Sequence, residues 1–256
     1  MLLQEDDPKP VIVLNEHSIS PFVFVCDHAG NAIPKKLEYL GLTLENINEH
    51  IAIDKGIREV GGLLSSELKA CFIMQSYSRL VIDCNRSVDH PNLIVKKSDG
   101  KKIPGNMAIS PEEKTLRLNE IYYPYHHTIS SILIKRKKLN FPSLLISLHS
   151  FTKKLMKDDV PRPWHIGVLH DKNNQFSLIF KKHLKNKYSF PIGDNKPYAL
   201  SDENDYTIPF HSQETSIPYL ELEIRQDLIE TMEQQQVWSN QLKNVLFTAY
   251  EELRAV

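Results

Sequence analysis

Residues 22–31 read FVFVCDHAGN, five apolar positions in a row that give way to Asp27, His28, Ala29, Gly30 and Asn31. An unbroken run of this kind, rich in Val and Phe, is a strand buried on both faces, which belongs in a largely parallel sheet covered by helices. Similar runs are VIVL at 11–14, LVIDC at 80–84, LLISL at 144–148, HIGVL at 165–169 and YLELEI at 219–224. Helical patterns lie between several of them. Ile57, Val60, Leu64 and Leu68 form one apolar stripe. Ser110, Pro111 and Glu113 supply an N-cap, a first-turn proline and the acid of a capping box. The helical region they open is expected to break or kink at Pro124, and KRKK at 135–138 closes it as a solvated end whose cations favour the helix dipole. Trp238, Leu242, Val245, Leu246, Ala249 and Leu253 form a last amphipathic helix. Strands alternating with helices predict an α/β layer fold.

The chain has 256 residues, 41% of them hydrophobic and 25% charged, which excludes a disordered or fibrous protein. No linker or repeat divides it, so one domain over 1–256 is expected. Lys+Arg 31 against Asp+Glu 32 leaves a net charge of -1, which argues against nucleic acid or an anionic membrane as partner. No apolar run approaches the roughly 18 residues of a membrane span. The start, MLLQEDDPKP, lacks the basic and apolar regions of a secretory signal. Cys26, Cys71 and Cys84 form no CxxC pair. A cytoplasmic protein with reduced thiols is the simplest reading.

The apolar runs end in residues that a core would not choose. FVFVC runs into Asp27-His28, LVIDC into Asn85-Arg86, LLISL into His149-Ser150, and YLELEI carries Glu221 and Glu223 before Arg225. Ligands of open α/β sheets bind beyond the carboxyl ends of the strands, so these ends would converge on one crevice. Alone, each has a plain explanation: a hydrogen-bonded structural histidine, a surface ion pair, a solvated edge strand. Together they suit metal-assisted amide hydrolysis. Two imidazoles and a carboxylate hold zinc with an open position, a further Glu serves as general base, and an Arg fork takes a substrate carboxylate.

The chain resembles the N-formylglutamate amidohydrolase family. The resemblance rests on VCDHAGNAIP at 25–34, HIAIDKGI at 50–57, SRLVIDCNRS at 78–87, IPGNMAIS at 103–110, IYYPYHH at 121–127, ISLHSFT at 146–152, RPWHIGVLH at 162–170, NKPYAL at 195–200, DYTIPFH at 205–211 and LEIRQDLI at 222–229. It implies a three-layer, mostly parallel mixed sheet of the zinc-exopeptidase type, with helices on both faces. It also implies hydrolysis of N-formyl-L-glutamate to formate and L-glutamate, a step of histidine degradation, with zinc as the cofactor and a small N-acyl amino acid as the substrate. Related zinc carboxypeptidases and aspartoacylases use a His-x-x-Glu pair, an Asn-Arg pair, a later His and a late Glu. Here that order maps onto His28, Asn85-Arg86, His149 and Glu223. The position three after His28 is Asn31, a poor zinc ligand, so the third ligand is assigned to Asp54, with Asp27 as runner-up.

Glu223 is the expected general base, with His211 assisting proton transfer or sitting as a satisfied loop histidine. Asn85 and Arg86 are expected to bind the substrate carboxylate. Arg162 and Arg225 are candidates for a second carboxylate or structural ion-pair partners. Arg79 is expected to support Asp83. His126 could face the site, while its neighbour His127 points about 100° away. Tyr198 and Tyr206 cover the substrate or pack. Ser150 lacks a nucleophile elbow, and Cys84 lies in an apolar run. The polar stretches 92–106 and 153–163 read as long loops that would set the acyl preference. The alternatives are a deacylase or carboxypeptidase-like enzyme for another N-acyl amino acid, and a non-catalytic binder of acidic ligands.

Overall fold

The computed structural model describes residues 1–171, 174–201, 205–215 and 217–255. In chain order the elements are β1 (Val11–Leu14), β2 (Phe22–Cys26), α1 (Ile57–Glu67), β3 (Cys71–Gln75), β4 (Lys97–Ser98), β5 (Lys101–Lys102), α2 (Pro111–Arg117), α3 (Tyr123–Lys138), β6 (Leu144–Phe151), β7 (Ile166–Leu169), α4 (Gln175–Lys187), β8 (Ile192–Asp194), α5 (Thr207–Thr215), β9 (Tyr219–Arg225) and α6 (Met232–Arg254). Seven strands form one mixed sheet in the order β1-β3-β2-β6-β9-β7-β8. The central β3, β2, β6 and β9 run parallel, and β1 and β7 pair antiparallel with their neighbours β3 and β9.

Period-two alternation sends the side chains of each central strand to two cores. Phe22, Phe24, Leu144, Ile146, Leu148, Leu220 and Leu222 pack against α1, α4 and α6. Val23, Val25, Leu145 and Tyr219 pack against α3 and the long connections of the other face. Helices cover both faces, the three-layer α/β arrangement expected for a buried parallel sheet.

Five of the six apolar runs are strands. The exception is LVIDC at 80–84, a turn and irregular segment; the strand of that region is the preceding CFIMQ, β3. Residues 80–84 are fully apolar-buried apart from Asp83, and burial without a ladder partner looks the same in sequence as burial within one. β6 runs on to Phe151, so His149 and Ser150 lie inside a strand rather than beyond it. Ser110 does cap α2, accepting from the Glu113 backbone N–H at 3.1 Å, but the Glu113 carboxylate does not close a capping box: it accepts from the buried Arg117 instead. Pro124 does not break the helical region. A single π-helical turn, Leu118–Tyr122, precedes it, and the proline falls in the first turn of α3, where its missing N–H costs nothing. KRKK is not wholly solvated either. Arg136 is buried and donates to the carbonyls of Ser18, Ser20 and Pro142 and to Ser143 Oγ, so it staples the β1–β2 and α3–β6 connections together. The 92–106 stretch contains the β4–β5 hairpin. Its tip residue Asp99 accepts from Met156 N at 2.9 Å and lies 3.0 Å from His50 Nε2, joining the hairpin to the 153–163 segment and to the approach to Asp54. The three cysteines are free and buried, and among the described residues no helix is long and apolar enough to cross a membrane.

Candidate active site

β2, β6 and β9 lie side by side and parallel, so their carboxyl ends open on one edge of the sheet. The β6–β9 register pairs Ser147 with Glu221 and His149 with Glu223, which puts all four on one face. His28 follows β2 in a turn that packs tightly: a Cβ on Gly30 would stand 2.0 Å from Ser76 O, so only glycine lets the chain pass there. Asp54 reaches the same point from below α1. Its N–H donates to His28 O at 3.1 Å, and its Oδ2 accepts from Ser150 N at 3.3 Å. Gly56, at φ 76, then makes the left-handed turn that starts α1.

His28, Asp54 and His149 come together as a buried group whose ligand atoms lie within 4.8 Å of one another. His28 Nε2 stands 2.7 Å from Asp83 Oδ1. A carboxylate only accepts, so that nitrogen carries the proton, and a neutral ring presents a lone pair on Nδ1. Nδ1 is buried without a hydrogen-bond partner among the described residues, and it faces Asp54 Oδ2 at 3.4 Å. His149 Nδ1 is 2.9 Å from the same oxygen. Acceptors facing each other in a dry pocket are unfavourable unless positive charge lies between them. Two imidazoles and one carboxylate are also a zinc donor set, so the residues fit a divalent cation.

The surrounding charges are arranged to the same end. Burial opposes charging every group here. Against it, His28 and His149 hold Asp54 far below the usual carboxylate range, and Arg79 and His28 do the same for Asp83. Burial likewise disfavours a charged His149, yet Asp27 and Asp54 keep it protonated well above the ordinary imidazole value. Arg79 spans the pocket, 2.9 Å from Asp83 Oδ2 and 3.6 Å from Asp54 Oδ1. Glu223 differs from these acids. Its Oε2 is buried without a hydrogen-bond partner among the described residues, and burial together with Asp54 and Asp205 pushes its pKa up to about 7, with His149 and Arg79 pulling the other way. Its neighbour Glu221, more deeply enclosed and also facing Asp205, is pushed well above the usual range.

The sequence profile of N-formylglutamate amidohydrolases matches residues 20–230. The chain belongs to that family. Among solved structures, the Atu2144 gene product of Agrobacterium tumefaciens is similar at 29% identity and TM-score 0.95, with 99% of this chain and 100% of that chain covered. N-formylglutamate amidohydrolase from Ralstonia eutropha JMP134 is similar at 18% identity and TM-score 0.73, with 97% and 100% covered; at that identity the likeness is one of fold. No curated protein matches the chain.

Other residues singled out from the sequence of this amidohydrolase lie further out. Asn85 is buried and turned inward: its Oδ1 accepts from the N–H groups of Tyr206 and Thr207 at 2.9 and 3.0 Å, and its Nδ2 donates to Asp205 Oδ1 at 3.2 Å. Arg86 is half-buried and donates to Asn85 O at 2.8 Å. Arg162 pairs with Asp158 at 3.0 Å and donates to Tyr198 Oη at 2.8 Å. Arg225 is bound to Asp227 at 2.7 Å, with the carbonyls of residues 162–164 around its other nitrogen. Asn31 donates to Ile47 O and Asn48 Oδ1, away from the His28–Asp54–His149 group. Sequence reading had no role for Ser147 or Thr207 and gave Asp83 only Arg79 as partner. The Asp two places before Asn85 was the available signal, masked by reading LVIDC as a strand.

His211 is buried on α5 beside His126 of α3. His126 Nε2 donates to Cys84 O at 2.9 Å, so its Nδ1 accepts from His211 Nε2 at 3.0 Å, and His211 Nδ1 lies 3.3 Å from Ser130 Oγ. Burial pushes His126 down to about 4; burial and His126 push His211 down to about 3. Both are therefore buried neutral, and their contribution is complete above the unfolded value near 6.5. It is lost as pH falls from there towards the folded values, because the unfolded chain binds the protons. Replacing His126 by Asn should remove about 2 kcal/mol of the stability otherwise lost between pH 6.5 and 5. Denaturant unfolding of both proteins at the two pH values measures this; parallel losses would refute it.

Proposed function

We propose that this amide hydrolase is metal-dependent and cleaves an N-acyl acidic amino acid, N-formyl-L-glutamate foremost, to formate and L-glutamate. The observation that carries the reading is the buried His28 Nδ1 facing Asp54 Oδ2, with His149 Nδ1 on the same oxygen. A divalent cation such as zinc held by His28, Asp54 and His149 would polarise the acyl carbonyl and acidify water at neutral pH.

The chain's own residues do the rest. Asp83 holds the outer nitrogen of His28 and fixes its tautomer, and Arg79 braces Asp83. Glu223 is poised near neutrality, so its carboxylate takes a proton from the attacking water and returns it to the leaving nitrogen. Arg79 is placed to stabilise negative charge developing beside Asp54. Arg86, half-buried next to Asn85, is the cation assigned to a substrate carboxylate, and Arg162 with Tyr198 to the second. Asn85 supports this arrangement by holding the start of α5 rather than by touching substrate, and Arg225, enclosed by Asp227 and carbonyls, is structural.

The test is hydrolysis of N-formyl-, N-acetyl- and peptidyl-glutamate side by side, with metal content measured on the same preparation. N-formylglutamate should be cleaved fastest, with release of formate. A zinc-loaded protein that leaves it intact while cleaving another substrate would reject the formyl assignment.

A further inference from the structure

Asp27 stands one residue beyond β2 and is 1% exposed, a carboxylate in a dry pocket. Its Oδ1 accepts from the Thr207 hydroxyl at 2.6 Å. Its Oδ2 has no hydrogen-bond partner among the described residues and lies 3.3 Å from His149 Nε2. That nitrogen is the outer one, since His149 turns Nδ1 towards Asp54. When Nδ1 serves as a ligand, Nε2 carries the ring proton and needs an acceptor. Two are within reach, Ser147 Oγ at 3.0 Å and Asp27 Oδ2 at 3.3 Å. A charged acceptor binds the N–H more strongly and makes the imidazole a better donor to a cation.

We propose that Thr207 is a positioning residue of the metal site: its hydroxyl occupies one oxygen of Asp27 and so aims the other at His149, completing a Thr207–Asp27–His149 arm. The inference rests on the metal-site reading above. It makes the two imidazoles equivalent in design. The outer nitrogen of His28 goes to Asp83, which a guanidinium holds; that of His149 goes to Asp27, which a hydroxyl holds.

The placement of Thr207 does not depend on the site. Asn85 Oδ1 accepts from its N–H and from that of Tyr206, which fixes the first turn of α5. One turn on, His211 locks the same helix to His126 on α3. Asn85 and His211, both expected from sequence to serve the substrate or the chemistry, thus converge on one task, holding the helix that carries Thr207.

The experiment is zinc affinity, read by competition with a chromogenic chelator, for the wild type, Thr207→Val, Thr207→Ser, Asp27→Asn, Ser147→Ala and His149→Ala. Valine keeps the shape and the backbone bonds to Asn85 but removes the hydroxyl. Thr207→Val and Asp27→Asn should each weaken zinc binding about 10- to 100-fold, with Thr207→Ser restoring it and Ser147→Ala close to wild type. If Thr207→Val does not fold, Thr207→Ser against Asp27→Asn carries the comparison. Wild-type affinity in Asp27→Asn or Thr207→Val, with binding lost in His149→Ala, overturns the inference. Equal binding by the wild type and His149→Ala is a different pattern: it removes the metal site itself, and the inference with it.

Discussion

Glu223→Gln should lower turnover by about 10²- to 10⁴-fold while zinc content and thermal stability stay near the wild type, because what is lost is one proton-transfer group. The substitution keeps the shape of the side chain and its place opposite His149 in the β6–β9 register. Glu223 is the acid near the His28–Asp54–His149 group that burial brings close to neutrality, whereas Asp27, Asp54 and Asp83 are held ionised by cationic partners. A base must be able to gain and release the same proton, and only a group titrating near the working pH does both readily. The amide of glutamine also suits the pocket, since Glu223 Oε2 makes no hydrogen bond among the described residues that it would break. Steady-state kinetics on N-formylglutamate, with metal analysis and a melting curve, decide the matter. Activity within a few-fold of wild type would move the proton-transfer role to another residue.

Stripping the metal should be as severe. Dialysis against a strong chelator is expected to remove several kcal/mol of transition-state stabilisation, on the order of 10³-fold in rate, and one equivalent of zinc should restore it. His149→Ala should resist that rescue, because the site then has only His28 and Asp54. On the metal-site reading a cation would take the place between His28 Nδ1, His149 Nδ1 and Asp54 Oδ2 that ring protons otherwise fill. The stripped protein should therefore stay folded, with the two histidines protonated in place of the ion. Full activity after complete removal of metal would reject the reading.

Much of this was legible in the sequence, and the physical reason is period. Strands β2, β6 and β9 announce themselves as short apolar runs, and the polar residues at their ends, each explicable alone, point to a site when taken together. Because strand residues alternate between faces, Glu221 and Glu223 are expected to share one; that His149 stands opposite Glu223 is a matter of register, which alternation does not give. Asp54 is implied by the resemblance, and its Oδ2 stands 3.4 Å from His28 Nδ1 and 2.9 Å from His149 Nδ1. What stayed hidden was anything set by loop geometry. Nothing in IDCNR says that Asp83 rather than Asn85 turns towards His28, since both lie in an irregular segment without a repeat to count along. Thr207, more than fifty residues beyond His149, is brought in by a helix whose docking depends on a buried His126–His211 contact. Arg136 was misjudged for a related reason: a basic run at a helix end has a strong local explanation, and only the tertiary fold shows the carbonyls gathered around one member of it.

Asp99 touches two loops with two oxygens, Met156 through one and His50 through the other. A lengthening of either loop must therefore be absorbed by the other, and through His50 by the segment that delivers Asp54. On the proposed reading, in which these loops set the acyl preference, accepting a bulkier acyl group would call for matched changes on both sides, and substrate range should drift in coordinated steps rather than by single insertions.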